Sequence, residues 1–172
     1  GIRPAEHIGV LMETRPSALV TVGALSRLGA VAVLLPPGGD LATAVRRTEI
    51  DTVIADPDNL ESAASLGIRV LVLGGGDSRG LALRGDNIVD LEQIDPHQVR
   101  LPAWYRPNPG LARKLAFILV TGTGRHMEAK QITNYRWAVS AFGTASSASL
   151  DTTDTVYCLA PLHHSSGLLV SL

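Results

Sequence analysis

The chain has 172 residues, of which 45% are apolar and 18% are charged, and its formal net charge is −1. This length suits one domain, and no apolar run approaches the roughly 20 residues that a membrane-spanning helix needs. Nucleic-acid binding is not indicated, because Lys and Arg do not cluster and the chain has only two Phe and two Trp for base stacking. Cys158 is the single cysteine and no apolar signal region opens the chain, which predicts a reducing, cytoplasmic setting.

Short apolar runs alternate with helical patterns along the chain. The apolar runs predict strands over 8–12, 30–35, 52–55, 70–73, 88–91, 116–120 and 155–160. Helices are predicted over about 14–28, 40–48, 58–66 and 133–148, and a last one begins at Ser165, with Thr14 and Asp40 as caps of the first two. All-apolar strands that alternate with helices predict an α/β fold, a mostly parallel sheet with helices on both faces.

Two stretches interrupt this alternation. Residues 95–114 contain four prolines and predict a connecting loop inside the domain. Gly74 to Gly76 could suggest dinucleotide binding, but these glycines follow the fourth strand and no helix comes next, so a turn is the simpler interpretation.

Residues 121–130 directly follow a predicted buried strand and contain small, polar side chains. Glycines and threonines at such a place expose N–H groups and hydroxyls that can hold phosphate oxygens, and Arg125 or Lys130 would add positive charge. The spacing fits neither Gly-x-x-x-x-Gly-Lys-Ser/Thr nor Gly-x-Gly-x-x-Gly, so a plain turn remains the alternative. The candidate phosphate-binding residues are Thr121, Gly122, Thr123, Gly124, Arg125 and Lys130.

Residues 161–167, Pro-Leu-His-His-Ser-Ser-Gly, follow another predicted strand and would lie at the mouth of the sheet, where open α/β proteins bind ligands. No third ligand occurs at zinc spacing, so no metal site is predicted. A nucleophilic serine is weakly supported, because the Gly-x-Ser-x-Gly pattern is absent. The alternative is structural, with Ser165 as a helix cap and a histidine packed beside it.

Taken together, these segments resemble the acyl-CoA synthetases of the adenylate-forming (AMP-binding) superfamily. Residues 1–4 with 8–12 and 24–33 are similar to the opening of that family, a Gly-x-x-Pro turn, a strand and a Leu-x-x-x-Gly-Ala-Val helix end. Residues 117–124 resemble its Ser/Thr/Gly-rich phosphate loop, and 161–167 match its Pro-Leu-x-His-x-x-Gly motif. The resemblance covers essentially all of 1–172 and implies part of the large N-terminal domain.

The resemblance implies activation of a carboxylic acid, most simply a fatty acid, by ATP with Mg²⁺, and transfer of the acyl group from an acyl-adenylate to coenzyme A. By position, Thr121 to Gly124 would hold the phosphates, while His164 and Gly167 would line the acyl or adenylate pocket. The acid, ATP and coenzyme A are the implied partners, together with the rest of the same domain. Downstream family motifs have no counterpart here, so we expect the 172 residues alone to be inactive.

The phosphate segment also departs from the family pattern, in which Pro-Lys follows the glycines. Here Glu128 or Ala129 takes the place of that lysine, depending on the anchor of the match, and Lys130 lies beyond it. A carboxylate at about 4 Å from a phosphate would repel it by roughly 1–4 kcal/mol. A non-catalytic module that binds an acyl chain, a nucleotide or a protein is therefore an alternative, and a complete small nucleotide-binding domain is another.

Overall fold

The computed structural model describes residues 1–74, 76, 83, 85–106 and 110–171. Within them the chain forms seven strands, β1 (His7–Leu11), β2 (Val31–Leu34), β3 (Thr52–Ala55), β4 (Arg69–Val72), β5 (Ile88–Asp90), β6 (Leu115–Thr121) and β7 (Glu128–Thr133). The α-helices are α1 (Pro16–Leu28), α2 (Leu41–Thr48), α3 (Leu60–Ala64), α4 (Asn134–Ser147) and α5 (Ser165–Ser171). No helix among the described residues is long and apolar enough to cross a membrane.

The strands form one sheet in the order β5-β4-β3-β1-β2-β6-β7. Every neighbouring pair is parallel except β6 and β7, which are antiparallel. The parallel strands therefore end at the same side of the sheet, which we call the carboxyl edge, formed by the residues that follow β1 to β6. The predicted α/β fold with a mostly parallel sheet is confirmed.

Two apolar layers cover the sheet, because side chains alternate between its faces along each strand. On one face Leu25 of α1 and Leu168 of α5 are buried in a cluster that includes Leu34 and Phe117. On the other face α2 and α3 pack through buried residues such as Leu41. Burial on both faces explains why the strands are continuously apolar, as parallel strands in such sheets are.

Local signals explain most helix boundaries. Pro16 begins α1, and Gly29, with φ of 69°, ends it. Asp40 caps α2 by accepting a hydrogen bond from the Thr43 N–H at 3.2 Å, as predicted. Thr14 does not cap α1, because its hydroxyl oxygen instead accepts the Leu162 N–H at 3.1 Å, 148 residues along the chain.

Two elements differ from the sequence-based expectation. The strand predicted over 155–160 does not form, and Val156, Tyr157 and Leu159 are exposed by 53%, 84% and 83%. These residues favour β-structure, but the strand would need a neighbour to satisfy its backbone groups. The other difference is β7, which was not predicted and whose first three residues, 128–130, belong to the segment predicted as a phosphate loop.

The Pro-rich stretch 95–114 connects β5 to β6, and its described part contains one short 3₁₀ turn, Pro96–Gln98. Residues 107–109 of this stretch lie outside the described residues, as does Gly75 of the predicted glycine turn. The N–H groups on either side of Gly75, those of Gly74 and Gly76, donate to Oε1 of Glu92 at 3.1 and 2.6 Å. Glu92 therefore ties the end of β4 to the residues that follow β5.

Candidate functional site

Both predicted site segments lie at the carboxyl edge of the sheet. The first continues from Thr121 at the end of β6 into residues 122–127, which we call the glycine loop and which lead into β7. The second, 161–167, is held beside the end of β1 by the hydrogen bond from Leu162 to Thr14. Because β2 is the single strand between β1 and β6, the two segments are near neighbours along this edge.

Backbone geometry requires glycine at the start of the glycine loop. Gly122 has φ of 77°, and a Cβ built there would lie 2.5 Å from the carbonyl oxygen of His126. Gly124 also has a positive φ, 51°. Met127, at the other end, is 4% exposed and packs on the face of the sheet that α2 covers. Thr123 and Arg125 are exposed, so the loop presents polar groups to solvent between two fixed ends.

Helix α2 and its cap residue Asp40 contact the middle and the end of this loop, which the sequence did not indicate. Oδ2 of Asp40 accepts the Gly124 N–H at 3.1 Å. Nη1 of Arg47 donates to the Met127 carbonyl at 2.7 Å, and Nη2 donates to the Arg125 carbonyl at 3.4 Å. Hydrogen bonds from the N–H and side chain of Thr43, and then from the Gly124 N–H, hold the pKa of Asp40 below its usual value.

Lys130, a candidate phosphate-binding residue, lies on strand β7 and not in the glycine loop. Lys130 pairs with Leu119 across the β6–β7 ladder, and Glu128 pairs with Thr121. Residues opposite each other and two apart share a face, so both charged side chains lie on the face that Leu119 occupies. Their charged groups are 3.8 Å apart, and the side chains are 63% and 68% exposed. Glu128, one of the two candidates for the position of the family's lysine, thus has a cation beside it.

A cleft of about 570 Å³ opens at the carboxyl edge, beside the ends of β1 and β2. It is lined by Glu13, Thr14, Pro37, Cys158, Leu159, Pro161 and His163. Burial, and then the neighbouring His164, lower the pKa of His163, while Glu13 acts in the opposite direction. The cleft therefore presents a mainly neutral imidazole at pH 7.

The predicted pocket residues His164 and Gly167 are placed differently from each other. The His164 side chain is exposed, its ring 5.7 Å from that of His163, which lines the cleft. Gly167 is buried, and a Cβ on it would lie 2.2 Å from the carbonyl oxygen of Pro161. Gly167 thus allows α5 to begin directly against 160–161.

Cys158 is half-buried and not in a strand, and its thiol lies 3.1 Å from the Ala160 carbonyl.

A buried carboxylate organises the neighbouring part of the edge, and the sequence analysis did not single it out. Asp56 follows β3 and is 0% exposed. Its Oδ2 accepts the Glu13 N–H at 2.8 Å and lies 3.3 Å from Nε of Arg15. Its Oδ1 accepts the N–H and the side-chain amide of Asn59 at 3.1 and 2.8 Å. An aspartate between a buried strand and Pro57 is a helix-cap signal, but its link to Glu13, a cleft residue, is visible only in the structure.

Among the described residues, no group of three or more His, Cys, Asp or Glu side chains could hold a metal ion.

Comparisons with known proteins point to one family, although no protein-family model matches the chain. A medium/long-chain fatty-acid–CoA ligase of Mycobacterium tuberculosis is 26% identical and covers 100% of this chain. A steroid-22-oyl-CoA synthetase of Rhodococcus jostii is 27% identical over 95% of it. The chain spans 28% of the length of each of these relatives.

Solved structures share the fold. The o-succinylbenzoate CoA synthetase of Bacillus subtilis, solved with its acyl-adenylate intermediate, superposes with a TM-score of 0.71 at 17% identity. That match covers 98% of this chain and 31% of the other. The resemblance to adenylate-forming acyl-CoA ligases that the motifs indicated is confirmed over the whole chain.

Proposed function

We propose that this chain, as a segment of the adenylate-forming acyl-CoA synthetases, supplies the phosphate-binding and acid-binding part of a ligase that activates a carboxylic acid. The observation that supports this proposal is that the glycine loop and the cleft lie close together at the carboxyl edge of the sheet. The glycine loop follows β6, and the cleft lined by His163 opens beside β1 and β2. Ligands of open α/β proteins bind at this edge.

In the proposed reaction an oxygen of the acid attacks the α-phosphorus of ATP, and pyrophosphate leaves. The thiol sulfur of coenzyme A then attacks the acyl carbonyl, and AMP leaves. The N–H groups of the glycine loop and the hydroxyls of Thr121 and Thr123 would hold phosphate oxygens, and Arg125 and Lys130 would balance their charge. Donors fixed before the reaction stabilise developing charge best, and the Arg47 contacts at the end of the loop supply such fixation.

The acid would enter the cleft beside the neutral imidazole of His163, with His164 and Gly167 as the further residues that the family motif assigns. Apolar atoms of Leu159 and Pro161 in the lining suit an apolar acyl group. One relative is named for medium and long-chain fatty acids and the other for a steroid-22-oyl group, so the proposed substrate class is an apolar carboxylic acid. Mg²⁺ is usually bound through substrate phosphates and few protein ligands, so it would enter together with ATP.

Calorimetric titration of the chain with ATP and Mg²⁺ tests the nucleotide part of this proposal. Wild-type chain is expected to bind, and Gly122→Ala is expected to bind at least about tenfold more weakly, because its Cβ would collide with the His126 carbonyl. Gly143→Ala is the matched control, since a Cβ there has nothing within 4 Å. Circular dichroism checks that both variants fold. Failure of the wild-type chain to bind, or equal affinity of Gly122→Ala, would contradict the proposal.

Catalysis by the 172 residues alone is a separate question. The chain spans under a third of its curated relatives, and we expect it to show no ATP–pyrophosphate exchange. Exchange above background would refute that expectation. The relatives are named as ligases and synthetases, so nothing in the comparisons favours the non-catalytic alternative.

A further inference from the structure

The glycine loop contains a backbone donor that already has an anionic acceptor. N–H groups at glycine-rich turns are the usual donors to phosphate oxygens. The Gly124 N–H, however, donates to the carboxylate of Asp40, 84 residues away in sequence, at 3.1 Å. A carboxylate oxygen and a phosphate oxygen are chemically equivalent acceptors for this N–H, and only one of them can take it in this geometry.

The two oxygens of Asp40 have different tasks. Oδ1 caps α2 through the Thr43 N–H, which is a contact within its own helix. Oδ2 reaches the glycine loop, so the helix keeps its cap when the loop contact breaks. Hydrogen bonds from Thr43 and then Gly124, with a smaller contribution from the charge of Arg46, lower the pKa of Asp40, so its carboxylate is ionised near neutral pH. The loop therefore faces a full negative charge.

The other end of the loop is held independently. Arg47 donates to the carbonyls of Arg125 and Met127, and the Met127 side chain is buried. Release of Gly124 from Asp40 would therefore free the loop at its first half while the second half stays in place.

We propose that the Asp40 carboxylate is an internal occupant of the glycine loop, which a phosphate oxygen must displace from the Gly124 N–H when a polyphosphate binds. This inference rests on the proposed function, since it assumes that the loop receives phosphates. Asp40 is then a positioning residue: it holds the conformation of the glycine loop when no phosphate is bound, and it lowers the affinity of the loop for anions.

The test uses ¹⁵N-labelled chain with inorganic pyrophosphate and, separately, ATP as probes. Asp40→Asn keeps a good helix cap and an oxygen acceptor but removes the charge. Asp151→Asn is the matched control, because Asp151 also accepts hydrogen bonds locally, from Thr153, and has no contact with the glycine loop. In Asp40→Asn the Gly124 amide proton is expected to move upfield, as a charge-assisted hydrogen bond becomes a neutral one. The control should leave it unchanged.

Pyrophosphate should bind Asp40→Asn roughly two- to fivefold more tightly than wild type, and the gain should shrink as salt is added. The inference is overturned if Asp40→Asn leaves the Gly124 resonance unchanged. It is also overturned if pyrophosphate binds Asp40→Asn no more tightly than wild type, or if it binds neither protein. If pyrophosphate behaves as expected but neither protein binds ATP, the proposed function fails and the inference stands. If both proteins bind ATP with equal affinity and the Gly124 resonance does not move, the inference fails and the proposed function stands.

Discussion

Gly167 offers a sharp test of how α5 is seated on the sheet. In Gly167→Ala the new Cβ would lie 2.2 Å from the Pro161 carbonyl oxygen and 2.7 Å from that of Ala160. Ordinary contact begins at 3.4 Å, so the backbone of α5 or of 160–161 must move by about 1.2 Å. Neither atom belongs to a side chain that could rotate away.

The cost of this movement follows from what it displaces. Overpacking of this kind costs about 1–3 kcal/mol, and Leu168, which is 0% exposed, loses part of its burial if α5 lifts. We expect a loss of about 2–4 kcal/mol in the free energy of unfolding, or about 5–15 °C in Tm for a chain of this size. Urea unfolding followed by tryptophan fluorescence measures it. Trp137 is a suitable reporter, because its ring meets Phe117 edge-on with centroids 4.7 Å apart.

Gly143→Ala is the control for this substitution, since Gly143 lies inside α4 and a Cβ there meets nothing within 4 Å. Alanine is the better helix former, so this variant should be more stable than wild type by up to about 1 kcal/mol. If Gly167→Ala were as stable as wild type, or gained stability as Gly143→Ala does, the close seating of α5 described above would be wrong.

Two further predictions concern groups at the carboxyl edge. Asp56→Ala should lose about 2–4 kcal/mol of unfolding free energy by urea titration, because the two buried Asn59 donors and the Glu13 N–H lose their acceptor. The exposed Asp58→Ala should lose less than about 1 kcal/mol, and similar losses for the two variants would contradict the bridging role of Asp56. His163 should titrate below 6.5 by NMR, because burial and His164 lower its pKa, and His164→Gln should raise that midpoint. The pKa of His163 is lower in the folded than in the unfolded chain, so the unfolded chain takes up the proton first and stability falls as pH drops below about 6.5. In urea titrations His163→Gln should make the free energy of unfolding less dependent on pH in this range. An unchanged pH dependence would refute this prediction.

Continuous apolar runs made most of the sheet predictable, because a strand buried on both faces leaves little choice of residue. The polar strand β7 could not be found this way. Its first four residues, 128–131, are exposed and form a strand only because β6 offers them an edge. The opposite error occurred at 155–160, where apolar and β-branched residues indicated a strand but none of the seven described strands pairs with them.

The candidate site was predictable in its segments but not in its contacts. The two motifs lie at the edge where strand order and direction place them. The pairings of Asp40 with Gly124 and of Thr14 with Leu162 join residues 84 and 148 positions apart. Local propensity carries no information on such pairs. The turn closed by the hydrogen bond from His164 N–H to the Pro161 carbonyl likewise decides which histidine lines the cleft.

The antiparallel pairing of β6 with β7 restricts how the length of the glycine loop can evolve. The loop is the connection of a hairpin, so one inserted or deleted residue would slip β7 by one position unless a bulge absorbed it. Such a slip would turn Glu128 and Lys130 to the opposite face of the sheet. Insertions or deletions of two residues avoid this change of face. In this hairpin the length of the glycine loop therefore determines which side chain lies opposite Thr121.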